Sequence, residues 1–132
     1  MAIKINTEKR IFTLETKHTM YQMQADTYGV LRHLWYGAKT GCDMSYLQDY
    51  PDVGFSGNPH DAGNDRTYSL DTLPLEYAGA GIGDFRVPAV EAVHADGSCA
   101  LDLRYYSHTV KQGKYAIACL LYTSDAADDR IS

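Results

Sequence analysis

Phe12-Thr-Leu14-Glu-Thr-Lys-His-Thr-Met-Tyr21-Gln-Met23-Gln-Ala25-Asp-Thr-Tyr-Gly-Val-Leu31-Arg-His33-Leu-Trp35 decides the fold. Phe12/Leu14, Tyr21/Met23/Ala25 and Leu31/His33/Trp35 each recur at a period of two, which puts alternate side chains on one face of an extended chain. Working outward, residues 3–36 read as a meander of short antiparallel strands. Hairpin connections are expected at Asn6 to Lys9, Thr16 to His18 and Asp26 to Gly29. From Gly37 to Tyr50 the alternation fades.

Next comes the least regular stretch, Asp52 to Tyr77. Gly54, Gly57, Pro59 and Gly63 exclude a continuous helix or ladder as far as Asn64, because glycine favours special dihedrals and proline removes a donor. A long, shaped loop is expected. Asp52, Asp61, Asp65 and Arg66 supply hydrogen-bonding groups suited to a hydroxyl-rich ligand, and Phe55 and Tyr68 offer flat apolar faces; that mix suits a sugar. Residues 69–77, interrupted by Pro74, are expected to form loop with at most a short edge strand. Further on, Asp96-Gly97 lies between Ala89–His94 and Cys99–Tyr106 as a hairpin signal, and a turn at Gln112-Gly113 leads into a last strand from Tyr115. The chain therefore reads as mainly β, an antiparallel β-sandwich of two packed sheets.

Composition limits the function. At 132 residues and 45% hydrophobic content there is room for one domain with one core. A net charge of −5, with twelve scattered Lys and Arg, argues against nucleic acid as a partner. No apolar run approaches the roughly 18–20 residues that span a bilayer, and the first ten residues hold no signal-peptide core, so no membrane partner and a cytoplasmic location are expected. Three distant cysteines and five histidines show no ligand spacing, so reduced thiols, no metal site and no cofactor are expected.

Several constellations have plainer readings. Gly79-Ala-Gly-Ile-Gly83 lacks the strand before it and the helix after it that a phosphate-binding turn needs, and reads as a connector. Asp65 and Asp71 form a pair of acids of the sort glycosidases use, but seventeen acidic residues make such pairs inevitable by chance. Trp35-Tyr36 is expected to fill the core rather than stack on a sugar. No G-x-S-x-G elbow is present. From composition alone, Asp52 with Arg66 reads as an ion pair bracing the loop ahead of a clamp on sugar hydroxyls.

The motifs also carry a resemblance. Leu31-x-His33-Leu-Trp35-Tyr-Gly37-x-Lys39, Gly54-Phe-Ser-Gly-Asn-Pro59, Asn64-Asp-Arg-Thr-Tyr-Ser-Leu-Asp-Thr-Leu-Pro-Leu-Glu-Tyr77, Gly83-Asp-Phe-Arg-Val-Pro88, Asp96-Gly-Ser98 and Asp102-Leu-Arg-Tyr105 resemble, in order and spacing, the N-terminal domain of glycoside hydrolase family 36 α-galactosidases. The resemblance covers roughly Ile3 to Ile117. It implies an incomplete N-terminal supersandwich, residues 1–117, of a longer enzyme that hydrolyses terminal α-galactosides of the melibiose and raffinose type with retention. It implies that the aspartate nucleophile and the aspartate acid/base lie on a (β/α) barrel outside this chain, so that no residue here is catalytic and the chain alone is inactive. It also implies a homo-tetramer in which the long loop reaches a neighbour's active site, with Asp52 and Arg66 as substrate-binding residues; on that basis the clamp replaces the brace. After Lys114-Tyr-Ala-Ile117 the family continues with Gly-Leu-Pro-Ala, whereas residues 118–132 turn acidic and small, and a non-native read-through tail is expected there. The rival expectations are a free-standing carbohydrate-binding β-sandwich module and a purely structural domain.

Overall fold

The structure, a computed structural model, describes residues 1–48, 50–52 and 58–113. Four strands, β1 (Ala2–Asn6), β2 (Ile11–Glu15), β3 (Thr19–Ala25) and β4 (Leu31–Ala38), form one antiparallel sheet in the order β1-β2-β3-β4. The register follows the alternation: Phe12 faces Met23 and Leu14 faces Tyr21 across the β2–β3 pair. All three connections fall where the breaks in periodicity put them. In the last, Asp26 Oδ1 accepts from the Tyr28 and Val30 amides, and Gly29 takes a φ of 81° that costs a glycine little. A register shift between Gln22 and Met23 breaks the period-two reading of β4, so that Leu34 is the buried residue of that strand.

Both faces of the sheet are covered, which is why β2 is buried at nearly every position. One face packs Phe12 against the rings of Tyr105 and His108, 5.9 and 4.9 Å away centre to centre. On the other, Gln22 donates to Thr13 Oγ1 (2.9 Å) and accepts from the Met44 amide (2.8 Å), tying residues 40–44 down over Met20. Glu15 lies on the same face, its carboxylate 4% exposed between Lys4 (3.0 Å) and Lys39 (3.1 Å); hydrogen bonds from those two lysines hold it below the usual carboxylate range.

Beyond β4 the chain is irregular but tightly built. Residues 74–76 run along the outer edge of β4, with His33 N donating to Pro74 O and Glu76 N to Leu31 O, which is the short edge segment the sequence allows. Glu76 also accepts from the Tyr21 hydroxyl, and burial together with that bond pushes Tyr21 up to about 12. The core cluster of Val30, Ala62, Tyr68, Leu70 and Leu73 joins this layer to the start of β4. Gly79 is required where the chain passes Leu101 O, because a Cβ there would collide with that carbonyl.

One expectation is corrected here. The Asp96-Gly97 turn forms, with Gly97 N donating to His94 O and His94 N to Ser98 O, but 89–94 and 99–106 do not extend it into a ladder. Their backbones bond instead to residues 78–80 and to Gly29, and Val87, Val93 and Tyr106 point outward. A period-two pattern needs a neighbouring strand to become a ladder, and here, past the turn, the His94 ring lies 2.8 Å from Ala100 O where a ladder bond would run. The strand expected from Tyr115 and the tail over 118–132 lie outside the described residues.

Candidate functional site

The site is an arch on the flank of the long loop. Pro59, extended at φ −60° and ψ 150°, opens a single 3-10 turn over His60–Ala62, and Gly63 (φ 58°) closes it. Asp65 then caps the next bend, accepting from the Thr67 amide (3.0 Å) and hydroxyl (2.6 Å); those bonds hold its carboxyl below the usual range. Asn58 Nδ2 donates to Asp65 O across the base of the arch. The ends are anchored in the core by Ala62 and Tyr68. Tyr68 donates its hydroxyl to Asp26 Oδ2 (2.5 Å), stacks edge-on against Tyr28 and lies under the guanidinium of Arg32 (4.9 Å). Burial, then Asp26, raises the Tyr68 hydroxyl well above its ordinary value.

Arg66 lies between these anchors and points outward. Its Nε is 3.2 Å from Asp52 Oδ1, and the two side chains are 60% and 54% exposed. The structure thus brings together the two residues the sequence singles out. Asp61 is directed elsewhere, to Arg104 Nη1 at 3.3 Å, where the guanidinium is already gripped by both oxygens of Asp102 and donates to Tyr28 O.

Other sequence candidates sort differently. Tyr68 is 5% exposed and offers a ligand no face: it is a core anchor. Asp65 and Asp71 do not act as an acid pair; the first caps Thr67 and the second accepts from the Phe85 amide (3.2 Å). Of the two aromatics expected in the core, Trp35 is half-buried with its indole N–H donated to Ala38 O, while Tyr36 is 71% exposed because it falls at the end of β4, beyond the covering layers. Phe55 lies outside the described residues. Among the described residues no three His, Cys, Asp or Glu side chains gather as a metal site, and no helix is long and apolar enough to cross a membrane. Sequence reasoning missed the anchors Asp26 and Arg104, whose partners lie 42 and 76 residues away; only the Asp65-x-Thr67 cap had a local signature.

Chemically, the arch presents a guanidinium fork and a carboxylate side by side in solvent. That is a planar donor set next to an acceptor set, able to take two neighbouring hydroxyls of one ring. The nearby cavity of about 240 Å³, lined by Val30, Leu70, Leu75, Ile82 and Leu103 among others, is apolar and belongs to the core rather than to the arch.

Known proteins agree on what kind of domain this is. The glycosyl hydrolase family 36 N-terminal domain matches residues 29–129. The bifunctional alpha-galactosidase/sucrose kinase AgaSK of Mediterraneibacter gnavus is 51% identical over 117 residues, which is 89% of this chain and 12% of that protein. The solved galactosidase domain of AgaSK superposes with a TM-score of 0.85 at 50% identity, over 89% of this chain and 16% of that one. The alpha-galactosidase AgaA of Geobacillus stearothermophilus, solved in complex with raffinose, does so at 0.73 and 36% identity, over 82% and 15%. The chain therefore spans less than a fifth of each of these proteins. With the all-β antiparallel sheet and a match across most of its length, the chain belongs to the glycosyl hydrolase family 36 N-terminal domain family.

Proposed function

We propose that residues 1–117 are the N-terminal β-domain of an α-galactosidase that hydrolyses terminal α-galactosides of the melibiose and raffinose type with retention. In this reading the domain supports a homo-tetramer and lends the loop of residues 52–77 to an active site, where Asp52 and Arg66 bind the sugar. The nucleophile and the acid/base are aspartates of a barrel this chain does not carry, so the chain alone is inactive. Family membership and the AgaA complex with raffinose support the substrate class. The outward Phe85, Val87, Val93 and Tyr106 support packing against further protein.

The observation that carries the reading is the exposed Arg66–Asp52 pair on an arch whose two ends are buried. An ion pair this accessible is screened and contributes about 0–1 kcal/mol to stability, so bracing is a poor reason for the geometry. Held at 3.2 Å, the guanidinium and the carboxylate are presented together at the surface, which supports a clamp on neighbouring hydroxyls. The test is Asp52→Ala and Arg66→Ala in the longer enzyme, assayed on raffinose. Each is expected to remove charged hydrogen bonds of about 1.5–3 kcal/mol, a ten- to hundred-fold fall in kcat/KM, with assembly and Tm retained. A lower Tm with kcat/KM per folded molecule unchanged would show a brace.

The boundary at residue 117 rests on the shift in composition after it, although the family match runs on to residue 129. Deleting residues 118–132 is expected to leave solubility and Tm unchanged; a loss of either would make that segment native.

A further inference from the structure

Where the irregular layer meets the start of β4, the packing leaves a space. Val30, Leu31, Leu70, Leu75, Ile82 and Leu103 surround a cavity of about 240 Å³ that no side chain of the described residues fills. Polar groups along its wall are already bonded. Leu31 O accepts from the Glu76 amide (2.9 Å), Tyr105 N donates to Gly29 O (2.6 Å), and Arg104, gripped by Asp102 at 2.7 and 3.0 Å, donates to Tyr28 O (2.7 Å). A water molecule needs about two to four polar partners to stay in such a place, so the space favours an apolar occupant over water. It opens outward beside Tyr77, 56% exposed, and Leu103, 43% exposed.

We propose that this cavity is a binding site for one small, uncharged aromatic molecule of one or two rings. An apolar void of roughly 150 Å³ lined by aliphatic and aromatic side chains stays dry and holds benzene, so a space of about 240 Å³ admits a two-ring molecule such as indole. A long acyl chain would overrun it. A flat ring lying between branched aliphatic side chains leaves water on both faces, and that burial of apolar surface is what drives it in. Charge selects against ions: Arg104 at the rim is held by Asp102 and lies 3.3 Å from Asp61, so its guanidinium is already neutralised, and an ionised ligand would lose its hydration in the apolar interior without a partner to replace it. The cavity shares Val30 and Leu70 with the cluster that anchors the arch but is not lined by Arg66 or Asp52, so the site stands independently of any sugar binding there.

The test titrates indole into the 132-residue chain, followed by calorimetry and by NMR. One equivalent is expected to bind saturably with a negative heat-capacity change, the mark of buried apolar surface. Nuclear Overhauser contacts should run from the indole ring protons to the methyl groups of Val30, Leu70 and Leu75, whereas galactose, hydroxylated all round, should give none to those methyls. Ile82→Phe, which puts a ring of the protein's own into the space, should weaken indole binding at least tenfold. Absent or non-saturating binding, contacts confined to other residues, or undiminished binding in a folded Ile82→Phe variant would overturn the site. If Ile82→Phe does not fold, the contacts seen in the unaltered chain still decide.

Discussion

The hairpin sheet of residues 2–38 and the irregular layer of residues 58–113 are held together by different means. In the sheet, backbone groups bond along ladders whose partners are near in sequence, and side chains need only alternate. In the irregular layer, isolated turn and bridge bonds replace the ladders, and charged side chains supply donors to carbonyls that those bonds leave over. Arg86 Nη2 donates to Leu70 O (2.8 Å) and Leu73 O (2.6 Å) while its Nε holds Asp84 at 2.9 Å. Arg104 does the same for Tyr28 O. The lesson is that a carbonyl without a ladder still needs a donor, and that here arginine supplies it.

The largest effect is expected at the seam between the two regions. Leu73, 1% exposed in the joining cluster, should cost about 2–5 kcal/mol when cut to alanine. Hydrogen exchange should quicken first at residues 58–83 and leave the amides of β2 and β3 protected. Equal loss of protection everywhere would mean that the two regions unfold as one.

Next comes Arg86→Ala, which strands two carbonyls and the Asp84 carboxylate, whose side chain is 2% exposed; about 3 kcal/mol is expected from denaturant melts. Arg86→Lys should recover little, because one ammonium lacks the fork. An Arg86→Ala variant as stable as the parent would remove arginine from the account of the irregular layer.

A pH profile sharpens the same contrast. Burial pushes the Asp84 carboxyl up, but the bonds from Arg86 outweigh it and hold it below its ordinary value; at Asp43, bonds from Ser45 and Lys9 outweigh burial in the same way. Carboxyls with depressed folded values add stability above the unfolded pKa of about 4, and that stability is lost as pH falls through the lower folded values. Tm should stay level from about pH 7 to 5 and drop below about 4. A decline already under way near pH 6.5 would point to histidine instead.

How much of this was legible in the sequence follows from the same division. Period two at Phe12/Leu14 and Tyr21/Met23 was enough for β2 and β3, and the turn residues placed all three hairpins, because those contacts are local. The register shift at Gln22/Met23, which left Leu34 as the buried residue of β4, has no mark in the sequence. Tyr68 looked like an open ring because the loop around it is polar; its burial depends on Asp26 and Tyr28, some 40 residues earlier. Asp52 and Arg66 are legible from composition as a candidate pair, but only the family likeness favours a clamp over a brace, since a carboxylate and a guanidinium fourteen residues apart show no periodicity that joins them.

The smallest stability effect is expected at that pair. In the 132-residue chain, Arg66→Ala should change unfolding free energy by less than about 1 kcal/mol, far below Leu73→Ala. A loss as large as that of a core residue would move the arch from the binding side of the account to the structural side.

The most direct test of the central claim is a crystal structure of the longer enzyme with raffinose bound. The account predicts that Arg66 and Asp52 lie within hydrogen-bond distance, about 2.7–3.2 Å, of hydroxyls on the galactosyl ring. Both side chains still paired with each other, with no sugar oxygen within reach of either, would contradict it.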